Sequence, residues 1–134
     1  MSIVLDISAE SKTLYVVATG DYSLDEAIRA TREVLEAVAL NFAGKVLVDG
    51  LGIVGNPKFM ERINIGKFTA QTVMNFKDRG VSHLTQFALV LEVPMLDPER
   101  LGENVARSRG MNFKVFDNLS DAHGWLGIAP LSNI

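Results

Sequence analysis

Cysteine is absent from the 134-residue sequence. Its absence excludes disulfide bonds, zinc–thiolate sites, iron–sulfur clusters and thiol nucleophiles. Histidine is almost as scarce, because only His83 and His123 could supply an imidazole. The sequence also has no Gly-x-Ser-x-Gly segment that would place a serine nucleophile on a sharp turn. We therefore expect a protein that is not an enzyme.

Long apolar runs and an excess of positive charge are missing as well. No run reaches the length of about 18 apolar residues that a transmembrane helix needs, and the N-terminus does not resemble a signal peptide. The 13 basic residues are outnumbered by 16 acidic ones, which gives no general attraction to nucleic acid. No linker divides the chain. We expect one cytoplasmic domain over residues 1–134, without an integral membrane segment and without a nucleic-acid partner.

The residues that are present favour an α/β fold with a small, mixed, mostly parallel sheet and helices on both faces. Lys45–Asp49 is a β-branched run bounded by glycines, which is typical of a strand covered on both sides. The element order is ββαβαβαβα, and the first two strands form an antiparallel hairpin. The predicted strands are Ser2–Ile7, Thr13–Thr19, Lys45–Asp49, Gln86–Glu92 and Phe113–Phe116; the predicted helices run from about Leu24 to Leu40, from Pro57 to about Asp78, from Pro98 to Gly110 and over a short segment capped by Ser120.

The segment after the central strand, Gly50–Gly55, reads GLGIVG and matches the G-x-G-x-x-G fingerprint of dinucleotide-binding proteins. In that fingerprint the helix begins within the glycines, so that its N-terminus meets the pyrophosphate. Here the helix is predicted to begin after them, with Asn56 as its N-cap and Pro57 as its first residue. We therefore expect a flexible loop and keep nucleotide binding as a minor alternative.

Three acidic residues, Asp49, Glu92 and Asp117, follow or end predicted parallel strands. The carboxyl ends of such strands form the edge where open α/β sheets place their sites, and carboxylates are ligands that Mg²⁺ prefers. A phosphoryl-acceptor site would also need a lysine or a paired acid, which the sequence does not place nearby. We predict no metal and no cofactor, and keep a Mg²⁺-dependent enzyme as a third hypothesis.

The long helix after the glycines carries apolar residues on two sides. One stripe is expected to face the sheet, and small residues at its middle would allow a close approach. A second stripe, Ile65, Phe68 and Phe76, lies nearly opposite at 100° per residue. An aligned aromatic row predicts a contact surface for a second copy or another protein. The open alternative is that the loop from Val93 or the tail, residues 128–134, covers it.

The C-terminal half resembles a known family in several segments. They are Met60-Glu61-Arg62 early in the long helix, the strand FALVLE, the segment GENVARSRG at Gly102–Gly110, and FKVFDNLSDAHGWL with its final Trp125-Leu126. Together they resemble the SpoIIAA-like branch of the STAS superfamily. The resemblance implies a small mixed sheet flanked by helices, and a domain that binds partners or small ligands instead of catalysing a reaction.

The same resemblance implies where binding would occur. In anti-sigma-factor antagonists, which share the fold, a serine at the start of the helix after the central strand is phosphorylated to switch partner binding. Here Gly55-Asn56-Pro57-Lys58 holds that place and contains no hydroxyl, so the switch does not carry over. The predicted ligand- or partner-binding residues are Asp49, Gly50, Gly52, Gly55, Asn56, Lys58 and Arg62.

Two binding hypotheses follow. The first is a non-enzymatic, homodimeric STAS-like interaction or regulatory module, which uses those residues together with Ile65, Phe68 and Phe76. In it, Arg62 would contact an anionic group near the glycine segment. The alternative is a small-molecule or lipid carrier of SEC14-like type, with an apolar ligand in a pocket between that segment and residues 92–96.

Overall fold

A tight hairpin opens the chain in the computed structural model, which describes residues 2–129. Strands β1 (Val4–Glu10) and β2 (Thr13–Asp21) pair in antiparallel register from Val4 opposite Thr19 to Glu10 opposite Thr13. The two residues between them, Ser11 and Lys12, have φ of 51° and 61°, as a two-residue turn that follows the strand twist requires. The predicted antiparallel hairpin is confirmed, with longer strands than the sequence indicated.

The remaining strands add in parallel, so that spatial order follows chain order, β1-β2-β3-β4-β5. They are β3 (Lys45–Val54), β4 (Gln86–Val90) and β5 (Phe113–Phe116), and the helices are α1 (Leu24–Leu40), α2 (Phe59–Asn75), α3 (Leu101–Ser108) and α4 (Leu119–Leu126), with a 3₁₀ turn at Lys77–Arg79 after α2. The predicted fold class and the order ββαβαβαβα are confirmed.

The two faces of the sheet carry different helices. Alternation along β3 sends Val46 into a core with residues of α1, α2 and α3, whereas Leu47 joins a second core with Ala122 and Leu126 of α4. Because successive side chains of a strand point to opposite faces, three helices cover one face and α4 covers the other. The prediction of helices on both faces is confirmed.

The central strand is longer than predicted, which corrects the expected loop at Gly50–Gly55. β3 does not end at Asp49 but continues to Val54. Its pairing with β2 passes from Val17–Asp49 to Thr19–Gly52, so three steps on β3 match two on β2. This is a β-bulge with one extra residue. Asp49 Oδ1 accepts the Leu51 N–H at 3.1 Å, which pairs a donor inside the bulge.

Glycine stands at two positions of this bulged strand because a side chain would not fit. A Cβ at Gly50 would lie 2.8 Å from Leu91 Cδ2 and 3.0 Å from the Val90 carbonyl oxygen, and a Cβ at Gly52 would lie 2.7 Å from Thr19 Cγ2. Gly50 and Gly52 of the GLGIVG segment are therefore explained by close packing within the sheet, and this segment does not form a nucleotide-binding loop.

Three helices begin later or are capped differently than predicted. α2 starts at Phe59 with Lys58 as its N-cap, and Pro57 is a buried residue before the helix, between the exposed Asn56 and Lys58. Asn56 is therefore not the cap; instead the Lys58 N–H donates to the Glu61 carboxylate at 3.0 Å. α3 starts at Leu101 because Asp97 accepts the N–H groups of Glu99 and Leu101 in a turn first, and α4 is capped by Asn118, which accepts the Asp121 N–H at 2.8 Å.

Helix α2 packs on its neighbours α1 and α3 and not closely on the sheet. A Cβ added at Gly66 would lie 2.6 Å from the Gly102 carbonyl oxygen and 3.1 Å from Val105 Cβ. The small residues of α2 were expected to approach the sheet, but Gly66 meets α3. α2 therefore packs between α1 and α3 and is not in close contact with the strands.

Candidate functional site

A partly open apolar cavity of about 220 Å³ lies between the sheet and the layer of α1, α2 and α3. Most protein interiors hold few voids larger than a water molecule, so this space is a distinctive feature of the chain. Most of the side chains around it are apolar, and the charged residues among them are Arg62, Asp97, Arg100 and Glu103. Strands contribute, among others, Val48, Leu89 and Phe113, and helices contribute Ala30, Ile65 and Gly66.

The cavity follows from small residues on the inner faces of the helices. Ala27 and Ala30 of α1 and Gly66 of α2 line it, and each fills little volume. On the opposite side Val48 and Leu89 are paired neighbours on β3 and β4. Both remain only partly buried although they line this interior space. The helices therefore cover the sheet here but leave unfilled space between themselves and the strands.

The few polar side chains in the cavity wall already have partners. Thr31 and Thr69 donate their hydroxyls to the carbonyl oxygens of Ala27 and Ile65 within their own helices, at 2.8 and 2.7 Å. Within residues 2–129, every buried side-chain nitrogen and oxygen has a hydrogen-bond partner. The charged residues of the wall are engaged as well: Arg100 donates to the Glu103 carboxylate at 3.1 Å, and Asp97 accepts the N–H groups of Glu99 and Leu101. The buried part of the wall therefore offers an occupant no orphaned donor.

Arg62 ties the segments at one end of the cavity together. Its guanidinium donates to the carbonyl oxygens of Pro57, Met95 and Pro94 at 3.1, 2.9 and 2.8 Å, and to Asn56 Oδ1 at 3.3 Å. These bonds fix the connection before α2 and the loop after β4 onto the first turns of α2. Most of the Arg62 donors are therefore engaged by the chain itself, and a contact of Arg62 with an anionic group stays a prediction.

A second link at the same end joins Tyr22, after β2, to α2. The Tyr22 hydroxyl donates to the Glu61 carboxylate at 3.1 Å. Burial raises the pKa of Tyr22 above its ordinary value, and the bond to Glu61 raises it further. The Lys58 N–H, and secondarily the Tyr22 hydroxyl, hold the pKa of Glu61 below its usual range. Both groups therefore keep the protonation states that preserve the link.

Four exposed apolar residues lie on the segments that end β3, follow β4 and begin α2, which Arg62 holds together. Val54, the last residue of β3, is 68% exposed, and Phe59 and Met60 at the start of α2 are 60% and 57% exposed. Val93, in the loop after β4, is 65% exposed. We call these four residues the edge surface. Of the two α2 residues, Phe59 was expected to face the sheet, and Met60 was assigned to neither stripe of the helix. The sequence therefore did not predict this surface.

Comparison with solved structures shows a clear structural likeness. The crystal structure of an anti-sigma factor antagonist from Mycobacterium paratuberculosis matches 94% of this chain and 95% of that one, with a TM-score of 0.63 and 15% sequence identity. The chain has a SpoIIAA-like STAS fold. The sequence matches no protein-family model and no curated protein, so the STAS likeness concerns the fold.

In this STAS fold the predicted binding residues lie between Asp49 of β3 and the first turn of α2, and of them only Arg62 lines the cavity. Asp49 holds the bulge of β3, and Gly50 and Gly52 lie inside that strand. Gly55 lies against Tyr22, where a Cβ would come within 2.5 Å of the Tyr22 Cβ. Asn56 and Lys58 support Arg62 and the start of α2. Their role in binding a partner stays a prediction.

The predicted second stripe of α2 does not form a free surface in this STAS fold, which corrects its placement. Phe76 is only 8% exposed and belongs to the main core. Phe68 is half-buried, with the guanidinium carbon of Arg32 5.4 Å from its ring centroid, and Ile65 faces the cavity. The stripe is covered by α1 and the interior, because α2 packs between two helices instead of lying directly on the sheet.

The acidic residues considered for Mg²⁺ do not assemble into a site. Asp49 lies within β3, and Asp117 pairs with the Asn118 amide at 2.7 Å. Among residues 2–129, no group of three His, Asp or Glu side chains lies close enough together to hold a metal ion. In the same range, no helix is both long and apolar enough to cross a membrane.

Proposed function

We propose that the chain is a non-enzymatic regulatory module that acts in the cytoplasm by binding protein partners, as one domain over its whole length. The observation that carries the proposal is the likeness of its fold to an anti-sigma factor antagonist over 94% of the chain. That protein is described by its action against an anti-sigma factor, which is itself a protein. A corresponding role here needs a partner and no chemical step.

The edge surface supports the proposal and supplies the contact. Its four apolar side chains lie around the start of α2, where the resemblance to anti-sigma-factor antagonists places their switch. Exposed apolar side chains grouped in one region are typical of protein interfaces. We propose that a second copy of the chain or a separate protein binds here, and that Ile65, Phe68 and Phe76 play no direct part in that contact.

Partner binding is proposed to be independent of phosphorylation at the start of α2. Residues 55–62 are Gly, Asn, Pro, Lys, Phe, Met, Glu and Arg, and none carries a hydroxyl. A phosphoryl group therefore has no acceptor at this helix start, and control of partner binding must come from elsewhere in the molecule.

Two exposed methionines on α2 provide a matched test. Met60 lies in the edge surface and is 57% exposed, whereas Met74 lies near the other end of the helix and is 62% exposed. Native mass spectrometry is expected to show a dimer that Met60→Glu converts to monomer and Met74→Glu leaves intact. A monomeric wild type overturns the homodimer.

A separate partner is tested by placing a photo-crosslinking residue at position 60 or 74 in the source cells. We expect one defined protein adduct at position 60 and none at 74. Equal adducts at both positions, or none at either, would count against the edge surface as the contact.

A second candidate function is favoured by one observation, the apolar cavity. The SEC14-like alternative requires an interior space for an apolar ligand, and the cavity beneath α2 supplies one. It lies deeper than the pocket expected from the sequence, although Met95 from residues 92–96 does line it. As a carrier, the chain would bind its ligand between the sheet and the helices, and the dimer would not be needed.

A further inference from the structure

We propose that the cavity beneath α2 binds one small, neutral, apolar molecule, such as a short aliphatic or a monocyclic hydrocarbon-like compound. The inference rests on the second candidate function above and names its ligand class. Three features of the cavity carry it: its volume, the saturation of its polar groups and the way in which α2 is held over it.

The volume sets the size of the ligand. A dry engineered cavity of about 150 Å³, lined by Leu, Ile and Phe, binds benzene. The cavity here measures about 220 Å³, so in proportion it holds roughly nine non-hydrogen atoms. A phospholipid with two acyl chains is much larger than this. We therefore expect a single small molecule in the cavity and not a lipid of the SEC14 type.

The wall chemistry sets the polarity of the ligand. A charged group transferred into this space would lose its hydration. The charged residues of the wall, Arg62, Asp97, Arg100 and Glu103, already have hydrogen-bond partners within the chain, so a charged ligand would have to compete with those bonds. Thr31 and Thr69 have each used their hydroxyl proton, so their oxygens can only accept a hydrogen bond. One hydroxyl on the ligand could be matched in this way, but these two oxygens offer no donor to a carboxylate.

The attachment of α2 explains how a ligand could enter. Its first turns are held by the Arg62 hydrogen bonds to Pro94 and Met95 and by the bond between Tyr22 and Glu61. Release of these bonds would lift the start of α2, while its packing on α3 at Gly66 could stay in place. Local opening at this end would therefore admit a ligand without unfolding of the sheet.

The test uses ethylbenzene as the neutral probe and benzoate as an anionic probe of similar size, with the full chain. Ethylbenzene at tenfold excess over its Kd is expected to raise Tm by roughly 3–5 °C and to shift the amide resonances of Val48, Ile65 and Leu89. Benzoate is expected to do neither. A response to benzoate alone would overturn the ligand class and keep a carrier function, and a response to neither would overturn both.

Substitutions that fill the cavity test whether ethylbenzene binds inside it. Val48→Phe fills the cavity from the strand side and should abolish the ethylbenzene response, whereas Val17→Phe, at a 45% exposed position of β2, should preserve it. Ala30→Leu fills the cavity from α1 and serves as the second blocking variant in case Val48→Phe does not fold. An undiminished response in a folded blocking variant would show that ethylbenzene binds outside the cavity.

Discussion

Gly66→Ala is expected to destabilise the fold, although alanine is the better helix former. In an exposed helix interior the exchange gains about 1 kcal/mol. At Gly66, however, the new Cβ would lie 2.6 Å from the Gly102 carbonyl oxygen, and a backbone atom in a neighbouring helix cannot rotate away. Overpacking of this kind costs about 1–3 kcal/mol, and direct backbone contact favours the upper end. We expect a net loss of about 1–2 kcal/mol in the free energy of unfolding.

Gly124 in α4 is the matched control. No atom lies within 4 Å of a Cβ built there, so Gly124→Ala should keep the propensity gain of about 0.5–1 kcal/mol. Urea denaturation of both variants at one pH gives the two free energies, and thermal unfolding should show Tm lowered by roughly 3–8 °C for Gly66→Ala and raised slightly for Gly124→Ala. If Gly66→Ala proves as stable as the wild type, α2 and α3 can separate without cost and the reasoning is wrong.

Two further changes probe the links between segments. Arg62→Met should lower the free energy of unfolding by about 2–3 kcal/mol because it leaves the Met95 carbonyl and its neighbours without a charged donor. Amide hydrogen exchange should become faster in the loop after β4. Unchanged exchange would argue against the role of Arg62 in holding this loop. Glu26→Gln tests the pH dependence of stability. The hydrogen bonds from Arg29 and from the Ile3 N–H lower the pKa of Glu26 below its ordinary 4.5. The ionised carboxylate therefore stabilises the fold above pH 4.5, and this contribution is lost as the pH falls through the lowered pKa. The variant should therefore lose less stability on acidification than the wild type, and identical pH profiles would contradict the assignment.

The fold could be predicted from the sequence because its main signals are local. The β-branched run at Lys45–Asp49 depends only on near neighbours, and so does the N-cap of α1, where Ser23 accepts the Glu26 N–H. The fold class, the hairpin and α1 were therefore predicted correctly. The length of β3 was not, because GLGIVG looks like a loop unless the close contacts of Gly50 with β4 are known.

The candidate site was harder to predict because it depends on how helices pack together. Helical periodicity shows that α2 is apolar on two sides, but not that α1 covers Phe68 or that Phe76 enters the core. The cavity depends on Ala30 facing the same space as Val48, which are far apart in the chain. Only the small residues on inner helix faces could have suggested it, and small residues are equally typical of tight packing.

The bulge in β3 adds one residue to the strand without changing which residues face the helical layer. Before the extra residue, Val46 and Val48 point towards the helical layer; after it, Ile53 takes that direction and Val54 points to solvent. Deleting one residue between Asp49 and Gly52 would restore regular alternation, with Gly52 still opposite Thr19 and Ile53 still in the cavity wall. Homologous chains with a one-residue gap here should therefore keep the same cavity, whereas a second deletion would move Ile53 out of the wall and Val54 into it.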